Sequence, residues 1–477
     1  MRILENIKPE NVMRFFEDIC AIPHGSGDTK KISEYCIDAA RKMGLEAVRD
    51  DMNNVIIKKA ASSGYEGHPA VILQAHLDMV CEKTPDCKID FLTDGIPLTV
   101  DGDYITAKGT TLGGDDGIGV AMILAVLEDN TLKHPPIEAL FTTDEETGMF
   151  GAATLDGSML SGRTMINIDS ENEGVLTVSC AGGARSEIRI PTQKIPVSSP
   201  CYEIVIEGLK GGHSGVEIHK GRHNSNLLMG RLLNELTDSF NIIAIDGGNK
   251  DNAIPARTVC RLATNANFEK LKAFAADFEE THRTAEEPCL KITVLKIKGD
   301  FKAIDADGTA VICEFLSLVP NGVVKMSEDI KGLVQTSLNL GVLKTKEDEI
   351  YLTISVRSSV NDEKTALLNN LDSLTEQIGG SIEHSGDYPA WEYRKNSPLR
   401  DVMVSEFKEM YGREPVVEAI HAGLECGLLS DKLPGLDAVS FGPDMEEIHT
   451  PNERLSIPSV ERTYNYLCRV LSNFKNG

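Results

Sequence analysis

Three short, almost wholly apolar runs in this chain each stop at a group of acids or an imidazole. Residues 70–75 (AVILQA) end at His76-Leu77-Asp78, 137–143 (IEALFTT) at Asp144-Glu145-Glu146, and 165–168 (MINI) at Asp169. Runs of this length without polar alternation read as strands covered on both faces, and 54–58 reads as a further strand. A sheet buried on both faces needs helices on each side. One is supplied where Ile32, Tyr35, Cys36, Ala39, Ala40 and Met43 recur at spacings of three and four, with Asp28 placed to cap its start and Gly44 its end. Residues 117–127 (GIGVAMILAVL) read as a buried helix. The alternation predicts an α/β fold with a largely parallel sheet in a three-layer α/β/α arrangement. Open sheets of this kind place their chemistry at the carboxyl ends of the strands, so the residues just after the runs are the ones to read for function.

At 477 residues the chain exceeds one ordinary core, and roughly 100 to 200 residues per domain predicts at least two. After about Gly183 the texture changes: 202–207 (YEIVIE) alternates with period two, and strands and helices continue to about Pro389 without any of the acid and imidazole groups. This stretch reads as an inserted α+β lid of two similar, ferredoxin-like halves, each strand, helix, strand, strand, helix, strand. Its helices fall near 226–236, 268–282, 310–318 and 362–378. From Ser397 the α/β texture resumes, with a helix near 403–411, an apolar strand at 437–441 and a closing helix at 459–474. The expected division is 1–184 and 393–477 for a discontinuous catalytic domain and 185–392 for the lid.

Composition excludes several classes. No apolar run approaches the ~20 residues of a membrane span, and hydrophobic and charged fractions of 41% and 25% are ordinary for a soluble protein. The first twenty residues carry charges throughout and no apolar core of a secretory signal, so the expected location is the cytoplasm. Eleven cysteines are scattered singly with no CxxC pair, which points to reduced thiols and away from a zinc ribbon. A net charge of −25 repels phosphate backbones and anionic lipid, so neither nucleic acid nor a membrane is an expected partner.

Two more motifs complete the set, each likewise expected just beyond the end of a hydrophobic strand and at the carboxyl edge of the sheet: Gly113-Gly114-Asp115-Asp116-Gly117 and Ile448-His449-Thr450. Alone, HxD and DDG are ordinary turns and EE an ordinary surface pair, and the phosphate-loop patterns GxGxxG and GxxxxGK[ST] are both missing. Together they differ, because grouped carboxylates at the ends of buried strands are too costly unless a cation neutralises them. His76, Asp115, Glu146, Asp169 and His449 supply five ligands, and a bridging Asp115 gives each of two metal ions three. Asp78, two residues after His76, is placed to accept the far ring N–H of that imidazole. Glu145, beside a ligand, is the natural general base for the water between the ions. Imidazole and carboxylate suit Zn2+, with Mn2+ or Co2+ as alternatives.

On these motifs the chain resembles the co-catalytic zinc peptidases, a superfamily that includes aminoacylase, glutamate carboxypeptidase and tripeptide aminopeptidase. Within it the resemblance is to the aminoacyl-histidine (Xaa-His, cytosol non-specific) dipeptidases. It extends over essentially the whole chain, through QAHLDMVCEK, GTTLGGDDGIGVA, FTTDEETGMFGA, NIDSENEG and IHTPNERLSI. The resemblance implies His76, Asp115 and Asp169 on one zinc, Asp115, Glu146 and His449 on the other, Glu145 as base, Asp78 as orienter of His76, and a cis peptide after Asp115. In the lid it implies that His213 of GGHSG holds the oxyanion or a substrate terminus, and that Asn252, Arg357 and Gly423 contact substrate. The planar fork of Arg357 suits a dipeptide carboxylate, whereas His219 and His223 read as surface residues.

The implied activity is hydrolysis of unblocked dipeptides, with lid closure needed to complete the site and exclude water. An aminopeptidase, a carboxypeptidase or an N-acyl amino acid deacylase shares the ligand set, although a lid of about 200 residues fits the large-lid dipeptidases better. A non-catalytic binding protein would have lost a ligand or the base, and none is lost; acids that were only surface charge would bind no metal. The resemblance implies a possible homodimer, since the family often forms dimers, whereas a large lid would make a monomer self-sufficient.

Overall fold

The computed structural model describes residues 2–474, and the chain packs into two compact units. One takes in the chain up to Ser179, Tyr393–Ala419 and the chain from Leu424 on; the other is Cys180–Glu392 with Ile420–Gly423. The first unit is built on an eight-stranded mixed sheet. Its middle is parallel, as the apolar runs predict: Ile137–Thr142, Val71–His76, Thr164–Asn167 and Asp437–Ser440 lie side by side in that order. Every residue of Ile137–Thr142 and Val71–His76 is buried, so helices cover both faces. The outer strands depart from the parallel expectation: Val55–Lys59 runs antiparallel to Ile137–Thr142, and Glu46–Arg49 antiparallel to Val55–Lys59. A tight turn joins those two outer strands, and a tight connection can only reverse the chain direction.

The helix Gly114–Glu128 is buried almost along its whole length, and Phe16 and Ile19 of the helix Glu10–Cys20 pack on Gly117. The helix Lys30–Met43 buries Ile32, Cys36, Ala39 and Ala40 and ends at Gly44, whose φ of 72° is the left-handed conformation glycine adopts without cost. Its start corrects the cap expected at Asp28. Thr29 occupies the N-cap without a side-chain hydrogen bond, because Asp28 belongs to the preceding turn, where its N–H bonds the Gly25 carbonyl.

The second unit is a nine-stranded antiparallel sheet with helices packed on it. Its two halves share one strand order. Lys291–Ile297, Cys201–Glu207, Thr258–Thr264 and Phe240–Gly247 form one; Ser381–Tyr388, Gly182–Pro191, Glu349–Ser358 and Val334–Thr345 form the other. In each half the order is fourth, first, third, second, the arrangement of a split βαβ fold. Helices Ser225–Glu235 and Phe268–His282 serve the first half, Ala306–Leu318 and Asn361–Gln377 the second. The halves are not successive, however. Gly182–Pro191, the first strand of one half, precedes the entire other half. One core runs beneath both, with Leu228, Leu232, Ile312, Phe315, Leu340 and Ile354 all buried in it. Two helices approach closely where Gly230 faces Leu316, since a Cβ at Gly230 would stand 2.6 Å from the Leu316 Cβ.

Candidate active site

Parallel strands deliver three of the five candidate ligands in the first unit. His76 is the last residue of Val71–His76, and Asp169 lies two residues beyond Thr164–Asn167. Glu146 follows Ile137–Thr142 after a turn in which Asp144 takes a left-handed φ of 55°. The other two correct the expectation that every landmark follows a strand of this sheet. Asp115 stands in the first turn of Gly114–Glu128, where the backbone of Asp115 and Asp116 is non-helical and the peptide between them is cis. His449 sits at φ 60° in the loop between Met445–Glu446 and Arg454–Ser456, a pair of strands in a separate four-stranded sheet.

The five side chains nevertheless meet in one line of contacts. Asp169 Oδ1 lies 3.6 Å from His76 Nε2, which lies 3.1 Å from Asp115 Oδ1. Asp115 Oδ2 lies 3.1 Å from His449 Nε2, which lies 3.0 Å from Glu146 Oε1. Each oxygen of Asp115 therefore faces a different imidazole, the disposition required of a carboxylate shared by two ions. Ligand atoms of His76, Asp115 and Glu146 fall within 4.8 Å of one another.

The electrostatics of the cluster fit a cation. Burial pushes the Glu145 carboxyl well above its ordinary value and also raises Glu146 and Asp169. Burial opposes the charged form of His76 as well, yet the field of Asp169 and hydrogen bonds to Asp115 and Asp169 carry it well above the usual imidazole range. Hydrogen bonds to Asp115 and Glu146 lift His449 to about 10. Asp115 moves down: burial would raise it, but the two imidazoles hold it below the normal carboxylate range. A pocket that clings to protons on so many groups is one whose charge a metal ion would balance.

Around the ligands lies a set of positioning contacts. His76 Nδ1 donates to the main-chain carbonyl of Asp78 at 2.9 Å, while the Asp78 carboxylate stands further off at 3.6 Å. The main-chain carbonyl is thus the nearer acceptor, with the expected carboxylate in ion-pair reach behind it. The Asp78 carboxylate also accepts from the Glu145 N–H at 3.0 Å, from the Glu146 N–H at 3.4 Å and from the Ser26 hydroxyl at 2.7 Å, so it holds the loop that carries Glu145 and Glu146. Glu453 accepts the N–H groups of Leu112, Gly113 and Gly114 at 2.7, 3.3 and 2.8 Å and pins the loop that presents Asp115. Asp116 accepts the N–H of His76 at 3.3 Å.

One level down the strands, Asn167 donates to Gln74, and both Gln74 and Thr142 donate to Glu425 Oε2. This ties together the three strands that lead to Asp169, His76 and Glu145. Glu425 is fully buried and pushed up to about 8, chiefly by that burial. Glu453, Glu425 and Asp116 have no role in the sequence reading. The one signal for Glu425 is its place between apolar residues in GLECGLL; Glu453, in PNERLSI, has none.

All four substrate candidates fall in the second unit. His213 pairs with Ala253, and the Ser214 N–H bonds the Asn252 carbonyl, so Asn252 lies beside His213 with its own side chain exposed. His213 Nδ1 accepts the N–H groups of Gly215 and Val216 at 3.1 and 3.2 Å, which places the ring proton on Nε2. Burial, then Arg357, lowers the His213 pKa. Arg357 donates to the Tyr388 hydroxyl, and Gly423 lies against the same tyrosine ring. His219 is exposed, whereas His223 is half-buried and bonded to the His282 carbonyl.

Such a cluster, at the strand ends of a three-layer α/β unit, is the kind of centre a metal-dependent hydrolase uses. The family model described as Peptidase family M20/M25/M40 matches residues 72–473, and the chain belongs to that family. It is 36% identical over 479 residues to the cytosol non-specific dipeptidase of Escherichia coli (strain K12), an alignment covering 99% of each chain. Its fold superposes on the crystal structure of aminoacylhistidine dipeptidase from Vibrio alginolyticus with a TM-score of 0.94 at 36% identity, covering 98% of this chain and 97% of that one. Aminopeptidase PepT from Bacillus cereus ATCC 10987 shares the fold at a TM-score of 0.59 and 15% identity, with 98% of each chain covered.

Proposed function

We propose that this peptidase is a metallodipeptidase that hydrolyses unblocked dipeptides, Xaa-His among them, in the cytosol with two Zn2+ ions. The observation that carries the reading is the line of contacts centred on Asp115, in a chain alike end to end to two dipeptidases. His76, Asp115 and Asp169 would hold one ion and Asp115, Glu146 and His449 the other. Nitrogen and carboxylate donors without thiolate suit zinc, and manganese or cobalt next. When bound, the pair supplies the Lewis acidity that acidifies a water and polarises a carbonyl.

The remaining steps belong to side chains. Glu145, whose proton affinity burial has raised, takes the proton of the attacking water and returns it to the leaving amine. Asp78 fixes that loop through the N–H groups of Glu145 and Glu146. His213, its Nδ1 already committed, offers Nε2–H to the developing oxyanion. Arg357 offers its unpartnered Nε–H to the terminal carboxylate of the substrate, with Asn252 and Gly423 as further contacts. None of the eleven cysteines is in a disulfide, which supports a reducing compartment. No helix among the described residues is long and apolar enough to cross a membrane.

The test is a substrate panel of Gly-His, β-Ala-His, Leu-Gly, a tripeptide and an N-acetyl amino acid. Cleavage of the free dipeptides alone is expected. Preference for the tripeptide or the acylated amino acid would move the chain to a different peptidase or deacylase activity and overturn the reading.

A further inference from the structure

The second unit holds a guanidinium with unused hydrogen-bonding capacity and an aromatic hydroxyl that fixes its direction. Arg357 Nη1 donates to the Tyr388 hydroxyl at 3.2 Å, and its Nε–H is buried without an acceptor. Among the described residues no carboxylate forms an ion pair with it, although the chain carries a net charge of −25. The nearby imidazoles do not compete as cations: burial, and after it Arg357 itself, lowers the pKa of both His213 and His421, the latter to about 3. His421 is further committed through Nε2, 2.7 Å from the Ser337 hydroxyl. Arg357 is therefore the single positive charge of this group.

The placement of the phenol is built into the sheet. Arg357 and Tyr388 both stand opposite Gly183, one on each neighbouring strand. The ring crosses that glycine, since a Cβ at Gly183 would lie 2.6 Å from the Tyr388 oxygen. From elsewhere in the chain Gly423 closes on the same ring, where a Cβ would lie 2.8 Å from Tyr388 Cε2. Two glycines thus leave room for one tyrosine, and the only hydrogen bond of its hydroxyl among the described residues is to Arg357. Holding Nη1 in this way turns the Nε edge of the fork away from the phenol. That edge can meet both oxygens of a carboxylate.

We propose that Tyr388 is a positioning and specificity-determining residue, which orients Arg357 to bind the free carboxyl terminus of the substrate between the glycines Gly183 and Gly423. The inference rests on the dipeptidase reading and adds to it the residue that makes carboxylate recognition rigid. Tyr388→Phe tests it, because the ring that fills the space between the glycines is kept and only the acceptor for Arg357 is lost. The KM for a free dipeptide should rise about tenfold with kcat nearly unchanged, the signature of a lost charge-assisted hydrogen bond that serves binding. The inhibition constant of the corresponding dipeptide carboxamide, competing against the free dipeptide, should change less than twofold.

Equal weakening of the acid and the amide would overturn the proposal, because the effect would then be one of shape. So would a KM for the free dipeptide that is the same in Tyr388→Phe as in a wild type that cleaves it. A wild type that cleaves no free dipeptide overturns the dipeptidase reading itself, a result distinct from either.

Discussion

Replacing Glu425 by Gln should make the metal-stripped protein more stable at alkaline pH while changing little in acid. Glu425 is fully buried, and its carboxyl is raised from 4.5 to about 8. The fold therefore binds that proton more tightly than the unfolded chain does. The stability this contributes is fully present below pH 4.5 and is lost as the pH rises through about 8. The distance from 4.5 to about 8, at ~1.36 kcal/mol per pH unit, amounts to roughly 4 to 5 kcal/mol. Glutamine keeps an amide oxygen where Gln74 and Thr142 donate and carries no titrating proton, so the variant lacks this dependence. Urea unfolding of chelator-treated wild type and Glu425→Gln at pH 5, 7 and 9 measures it. Groups remote from Glu425 titrate alike in both proteins and cancel in the comparison, whereas Glu145, which the charge of Glu425 also raises, shifts with it. The difference in unfolding free energy should grow by several kcal/mol between pH 5 and 9. Parallel curves would refute the idea that burial holds this carboxyl protonated in the fold.

Three further outcomes follow from the geometry. Asp115→Ala should cost both metal ions, whereas Asp169→Ala and His449→Ala should each weaken one, a difference that metal analysis after dialysis resolves. Glu453→Ala leaves three backbone N–H groups of the 112–114 loop without their acceptor, at about 1–3 kcal/mol for each that stays dry, and should reduce metal affinity together with thermal stability. Gly230→Ala drives a methyl into Leu316 and should destabilise the protein by about 1–3 kcal/mol without touching metal content; an unchanged melting curve would show that the two helices can part freely.

The parallel middle of the first unit was legible because a strand buried on both faces must be apolar throughout, and Val71–His76 and Ile137–Thr142 are. The acids just beyond those strands were legible for the same reason, since a strand end fixes where the next side chains project. Asp115 and His449 are brought to the site by a helix start and by a loop of a separate small sheet, and no periodicity announces either. The interleaving of the second unit was hidden too. Gly182–Pro191 is a strand of that sheet, but its partners Glu349–Ser358 and Ser381–Tyr388 lie more than 150 residues away. Pairing over such distances is decided by the assembled sheet. Glu425 and Glu453 show the remaining limit: a glutamate in sequence is most often a solvated one, and only the fold reveals that these two are nearly or wholly buried.

The acid and imidazole cluster around Asp115 should behave as a two-metal hydrolytic centre. Stripping the protein with chelator and titrating Zn2+ back, with bound metal and the initial rate of dipeptide cleavage followed together, tests it most directly. Two ions bound per chain, with cleavage absent in the stripped protein and restored as the sites fill, is the predicted result. Cleavage that survives complete removal of metal, or a chain that binds no zinc at all, would contradict it.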